Sequence, residues 1–99
     1  MRFIARLKHS PDNCWGREEN QDKAVEWISE IDQRAEEHDV ELDGAYSTPN
    51  EHKFYFIMEA DSFEAVTGFL GPPLLEDHEG DIAPVLTLSE SIDVVTETE

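Results

Sequence analysis

Two imidazoles and one thiol are the side chains of this sequence best suited to chemistry beyond packing and charge: His9, Cys14 and His52. Nitrogen and sulfur donors of this kind suit Zn, Ni or Cu. Cys14 follows His9 by five residues, and His52 is brought to them only if the strand ending at His9 lies beside the strand starting at His52. An antiparallel pairing of those two strands does this. His78, in a later acidic loop, is a further donor of the same type. The spacing follows no strict metal signature. The same residues also read as polar caps closing two strand ends, with Cys14 as a small buried apolar side chain. A thiol beside an imidazole can also act as a nucleophile. No acid is placed to orient the base, so no catalytic residue is assigned.

A second group is Arg6, Lys8, Tyr55 and Glu59, with Tyr46. Arg6 and Lys8 alternate on one strand in a chain with only seven Lys and Arg. They can hold an anionic or carbonyl-bearing ligand, with Tyr55 as hydrogen-bond donor and Glu59 as acid or base. The competing reading pairs Arg6 with Glu59, or with its symmetry mate, inside a dimer interface.

These residues must be positioned by a small α+β fold. Arg2–His9 alternates as a strand, with Phe3, Ala5, Leu7 and His9 on one face and Ile4, Arg6 and Lys8 on the other. Ser10-Pro11-Asp12-Asn13 breaks it. Residues 20–38 have helical period, with Ala24, Trp27, Ile28, Ile31 and Ala35 as the apolar stripe. Val40–Ser47 is a second strand, and His52–Glu59 the strongest one. Asp61 caps a helix, with Glu64 completing a capping box, and Gly71-Pro72-Pro73 stops it. Ile82–Leu88 is the last strand. The expected order is β-α-β-β-α-β, a ferredoxin-like four-stranded antiparallel sheet with two helices on one face. One domain is expected over residues 1–90 and an acidic C-terminal tail over 91–99, in which Ile92, Val94 and Val95 suit a short edge strand.

Five stretches carry a resemblance: HSPDNC at 9–14, GAY at 44–46, EHKFYFIMEADS at 51–62, FLGP at 69–72 and IAPVLTL at 82–88. The sequence resembles the dimeric α/β-barrel superfamily, and more closely its short stand-alone families of unknown function. The resemblance implies two sheets facing each other across a two-fold axis around a cavity. Members of the superfamily include monooxygenases, dismutase-like and isomerase-like proteins, and metal-binding proteins, so fold alone selects no activity. The uncovered sheet face predicted here, with Ile4, Tyr55, Ile57, Ala83 and Val85 among charges, fits such a pairing.

Composition narrows the partners. Twenty-four Asp and Glu stand against seven Lys and Arg, a formal net charge of -17. Exposed charges repel over about 10 Å in dilute salt but only about 3 Å at molar salt, so this balance suits a salt-loaded, halophilic cytoplasm. A surface this negative repels phosphate backbones, which argues against nucleic acid as a partner. No apolar run approaches the about 18 residues needed to cross a bilayer, and Met1-Arg2-Phe3 enters a strand directly. The expected compartment is the cytoplasm, without membrane association. One cysteine among 99 residues leaves no internal disulfide. The sequence points first to a homodimeric binding or accessory protein holding a small ligand or a transition metal in or near the inter-sheet cavity. The alternatives are a cofactor-independent enzyme of isomerase or monooxygenase type acting on a small organic substrate, and a structural dimer without ligand.

Overall fold

A computed structural model describes residues 1–98. The element order is β1 (Arg2–Lys8), α1 (Gln21–Ser29), α2 (Ile31–Glu37), β2 (Glu41–Thr48), β3 (Lys53–Glu59), α3 (Phe63–Leu70), α4 (Leu74–Asp77), β4 (Glu79–Val85) and α5 (Leu88–Thr98). Short 3-10 turns cover Pro11–Asn13, Glu18–Asn20 and Pro49–Glu51. The four strands form one antiparallel sheet in the order β2-β3-β1-β4.

Alternation in β1 and β3 builds the core. Phe3, Ala5 and Leu7 point to the same face as Phe56 and Met58, and all five are buried. Trp27 of α1, Ala35 of α2, Val66, Phe69 and Leu70 of α3 and Leu74 of α4 pack into that one cluster. Helices α1–α4 therefore cover one face of the sheet. The opposite face carries Ile4, Arg6 and Lys8 of β1 beside Tyr55, Ile57 and Glu59 of β3, with Ala83 and Val85 of β4. Asp43 is squeezed out of register between Leu42 and Gly44, a β-bulge in the edge strand β2.

Several boundaries differ from the sequence expectation, each for a local reason. The helix expected over 20–38 is broken at Glu30. There the Ser29 hydroxyl donates to the Glu26 carbonyl at 2.9 Å, competing with the helical ladder. Ser62, not Asp61, caps α3, accepting the Ala65 N–H at 3.1 Å. Strand β4 starts at Glu79 rather than Ile82 because Gly80 lets it lie close against β1; a Cβ there would collide with the Arg6 carbonyl.

The segment expected as an acidic tail with an edge strand is instead the helix α5; Glu99 of that tail lies outside the described residues. Thr87 and Glu90 form a reciprocal capping box, the Thr87 hydroxyl accepting the Glu90 N–H at 3.1 Å and the Glu90 carboxylate the Thr87 N–H at 2.9 Å. Local capping thus overrides the strand preference of Val94 and Val95. Leu88, Ile92 and Val95 share one exposed side of α5. The helix extends the molecule to a radius of gyration of 15.2 Å, against about 13 Å for a compact chain of this length.

Candidate metal centre

The three expected metal ligands do meet. His9 directly follows β1, and its backbone N–H donates to the His52 carbonyl at 3.1 Å, extending the β1–β3 ladder by one rung. His52 ends the 3-10 turn Pro49–Glu51 in the left-handed region, at φ 57° and ψ 43°. A non-glycine residue is held there only when its surroundings require it. Cys14 closes the first 3-10 turn, its N–H donating to the Pro11 carbonyl at 3.4 Å. Its own carbonyl accepts the Arg17 N–H at 3.1 Å and the Asn20 side-chain amide at 3.0 Å. The Gly16 N–H points at the sulfur at 3.4 Å.

One ligand atom from each of His9, Cys14 and His52 lies within 4.8 Å of the others. Bond lengths near 2.0–2.3 Å around a shared ion would bring donors to about 3.5 Å apart, so each would move inward by less than about 1 Å. Among the described residues, the Nε2 of His9 and the Nδ1 of His52 are buried side-chain nitrogens with no hydrogen-bond partner. Buried polar atoms are normally satisfied, so these two ring nitrogens stand with neither a hydrogen-bond partner nor an ion. These residues can hold a metal ion.

His78 does not join that trio. Its Nε2 lies 2.9 Å from the His9 Nδ1, and its Nδ1 lies 2.7 Å from the Leu74 carbonyl. Both rings are buried, 5% and 7% exposed. Burial pushes the His9 imidazole below its ordinary range, helped by the neighbouring His78 and His52 and opposed by Asp77. Burial likewise lowers His78, against the opposing effects of the Leu74 carbonyl and Asp77. Neutral imidazoles are the form a metal requires.

Around the trio stands an aromatic wall. Trp15 is buried, edge-on to Trp27, Phe54 and His78 at 5.4–6.1 Å between ring centroids. Its indole N–H donates to Asp77 at 2.9 Å, and Lys23 donates to the same carboxylate oxygen at 2.8 Å. Burial raises the Asp77 carboxyl, but the hydrogen bonds from Lys23 and Trp15 and the Lys23 charge outweigh it, leaving the group below its ordinary range. Sequence reasoning missed this brace. Its members are 54 and 62 residues apart, and no local pattern joins them.

Two cavities meet at the imidazoles. His9 and His52 line both a cleft of about 650 Å³ at the sheet end and a smaller pocket of about 220 Å³. Cys14 lines the smaller one, with Trp15, Pro49 and Phe54. Lys8 and Lys53, directly opposite each other in register, border the larger.

On the uncovered face, Tyr46, Tyr55, Arg6 and Asp81 form one row across all four strands. The Arg6 guanidinium grips the Asp81 carboxylate with two hydrogen bonds of 3.0 Å, not Glu59. Glu59 stands in another row, four residues or about 13 Å along β3, where it faces Arg2 at 3.4 Å and the N-terminal amine at 3.6 Å. Arg6, Tyr55 and Tyr46 are thus brought together and Glu59 is kept apart. A cavity of about 340 Å³ is lined by Arg6, Lys8, Lys53 and Tyr55, but not by Tyr46.

No protein-family model matches the chain, and no curated protein matches it. No described helix is long and apolar enough to cross a membrane.

Proposed function

We propose that this chain is a homodimeric binding protein that holds a transition metal (Zn, Ni or Cu) on His9, Cys14 and His52. The observation that carries the reading is the convergence of one ligand atom each from His9, Cys14 and His52 within 4.8 Å, on two histidines that each keep a buried, unpartnered ring nitrogen. A donor set of two neutral nitrogens and one thiolate matches these borderline metals and is a poor match for Mg or Ca. The site lies at the sheet end, where His9 and His52 line a cleft that Lys8 and Lys53 of the uncovered face also border. Cobalt(II) titration tests it. A tetrahedral-type visible spectrum with a sulfur charge-transfer band is expected at one ion per chain, and its absence would contradict the reading.

Dimerisation through the uncovered sheet face has its own support. The face displays four bases, Arg2, Arg6, Lys8 and Lys53, and four acids, Glu41, Glu59, Glu79 and Asp81. It is therefore charge-balanced in a chain of net charge -17, with Ile4, Ile57 and Val85 half-buried among the charges. A balanced, partly apolar face suits a second copy better than open solvent. The strand order, with β1 and β2 parallel on either side of β3, supports the ferredoxin-like and dimeric α/β-barrel readings.

A second reading, a small ligand on that face, is favoured by the Arg6–Tyr55 cavity. An anionic or carbonyl-bearing compound would there meet Tyr55 and the two lysines. This cavity would take the substrate if the protein is a cofactor-independent enzyme.

A further inference from the structure

The three rings and one carbonyl around His9 fix where the protons are. The Leu74 carbonyl can only accept, so the His78 Nδ1 at 2.7 Å carries the hydrogen. A neutral imidazole has one N–H, which makes the His78 Nε2 a lone pair. The His9 Nδ1, 2.9 Å away, must then be the donor, and its single hydrogen is used there. What remains on His9 is a bare Nε2 lone pair, buried and unpartnered. Burial disfavours the doubly protonated form of either ring, which supports this assignment.

Without His78 the outcome reverses. A free imidazole favours its Nε2–H tautomer, and that hydrogen would point where a metal must bind. His78 is itself well fixed. Its ring lies 5.0 Å from Phe54 at an interplanar angle of 30°, and edge-on to Trp15 at 5.4 Å. A role for His78 as a fourth ligand would require its Nε2 to give up His9.

We infer that His78 is a positioning residue for the metal centre: it holds His9 in the Nδ1–H tautomer through the Leu74–His78–His9 chain and so presents the His9 Nε2 as a ligand. The inference rests on the metal reading proposed above. An outer partner of this kind orients the ligand and raises its basicity, and losing one weakens metal affinity by about 10–100-fold.

The test begins on metal-free protein in molar salt above neutral pH, with nitrogen NMR of isotope-labelled histidine. The expected result is an Nδ1–H tautomer for both His9 and His78. In His78→Ala, His9 should move to Nε2–H, and zinc affinity should fall by about 10–100-fold. In His78→Gln, whose amide can both accept from His9 and donate to Leu74, much of the affinity should return. This variant also serves if the alanine variant fails to fold. An Nε2–H tautomer for His9 in the unaltered protein would overturn the inference whatever the metal result. So would unchanged zinc affinity in His78→Ala, or loss of a nitrogen ligand from the cobalt spectrum in His78→Gln, which would make His78 a ligand. The assigned tautomers in a protein that binds no zinc, cobalt, nickel or copper would overturn the metal reading, and the positioning role with it.

Discussion

The backbone N–H of His9 donates to the carbonyl of His52 at 3.1 Å, so the two imidazoles flanking Cys14 stand on one rung of the sheet. That rung makes the His9–His52 pairing a property of strand register, and the 3-10 turn Pro11–Asn13 brings Cys14 to it. Cys14→Ser should then lower zinc affinity by at least about 10-fold while leaving the fold intact, since only the sulfur donor changes. Isothermal titration on chelator-treated protein checks this, and equal affinities would remove Cys14 from the site.

His52 separates function from stability. At φ 57° a glycine relieves the backbone, so His52→Gly should keep metal-free stability within about 1 kcal/mol of the unaltered protein. It should nonetheless lose metal binding. Urea unfolding with and without zinc reads both, and a large loss of metal-free stability would make the His52 ring a structural element.

Asp77 joins Trp15 and Lys23 on one carboxylate oxygen. Asp77→Ala would leave the buried Trp15 indole N–H without its acceptor, a loss of about 1–3 kcal/mol. Urea unfolding followed by tryptophan fluorescence measures it. Asp77→Asn, which keeps an acceptor oxygen, should lose less, and an equal loss in both would assign the effect to charge.

The sign of the pH dependence follows from the two lowered histidines. Unfolded, each binds a proton near its ordinary value of 6.5; folded, each binds one only at lower pH. Between those values the unfolded chain holds more protons, so stability rises with pH there and is complete above the unfolded value. Metal-free protein should therefore lose stability as pH falls below about 6.5, before the carboxylates titrate. Facing His9 and His78 are His52 and Asp77, and Asp77, held below its ordinary 3.8, contributes its own loss only at still lower pH. A midpoint in urea that stays flat from neutral pH down to about pH 5 would contradict the neutral, buried assignment.

Alternation in β1 and β3 was legible because buried residues recur at every second position, Phe3, Ala5 and Leu7 in one strand and Phe56 and Met58 in the other, and that register alone brings His9 beside His52. Strand β4 was less so: its start depends on Gly80 approaching the Arg6 backbone, a contact 74 residues away in sequence. Helix α5 was misread because Val94 and Val95 favour strands, whereas Thr87 and Glu90 decide the segment by capping. The meeting of His9, Cys14 and His52 could be anticipated from residue types plus topology. The His9–His78 contact and the Asp77 brace could not, since they depend on how α4 folds over the sheet end.

The proposed dimer through the uncovered face predicts that Tyr55 is sensitive to charge. Tyr55→Glu sets a carboxylate directly opposite Arg6 and Tyr46 in register and unbalances the face. Sedimentation in molar salt should give two chains for the unaltered protein and a shift toward one chain for the variant. A single-chain mass for the unaltered protein at micromolar concentration would remove the dimer.

Metal occupancy tests the central claim most directly. Tag-free protein would be purified in molar salt without chelator and subjected to elemental analysis alongside His52→Ala. Near-stoichiometric zinc, nickel or copper, lost in the variant, is the predicted result. A folded protein that carries none of these metals and takes up none on dialysis against them would contradict the account.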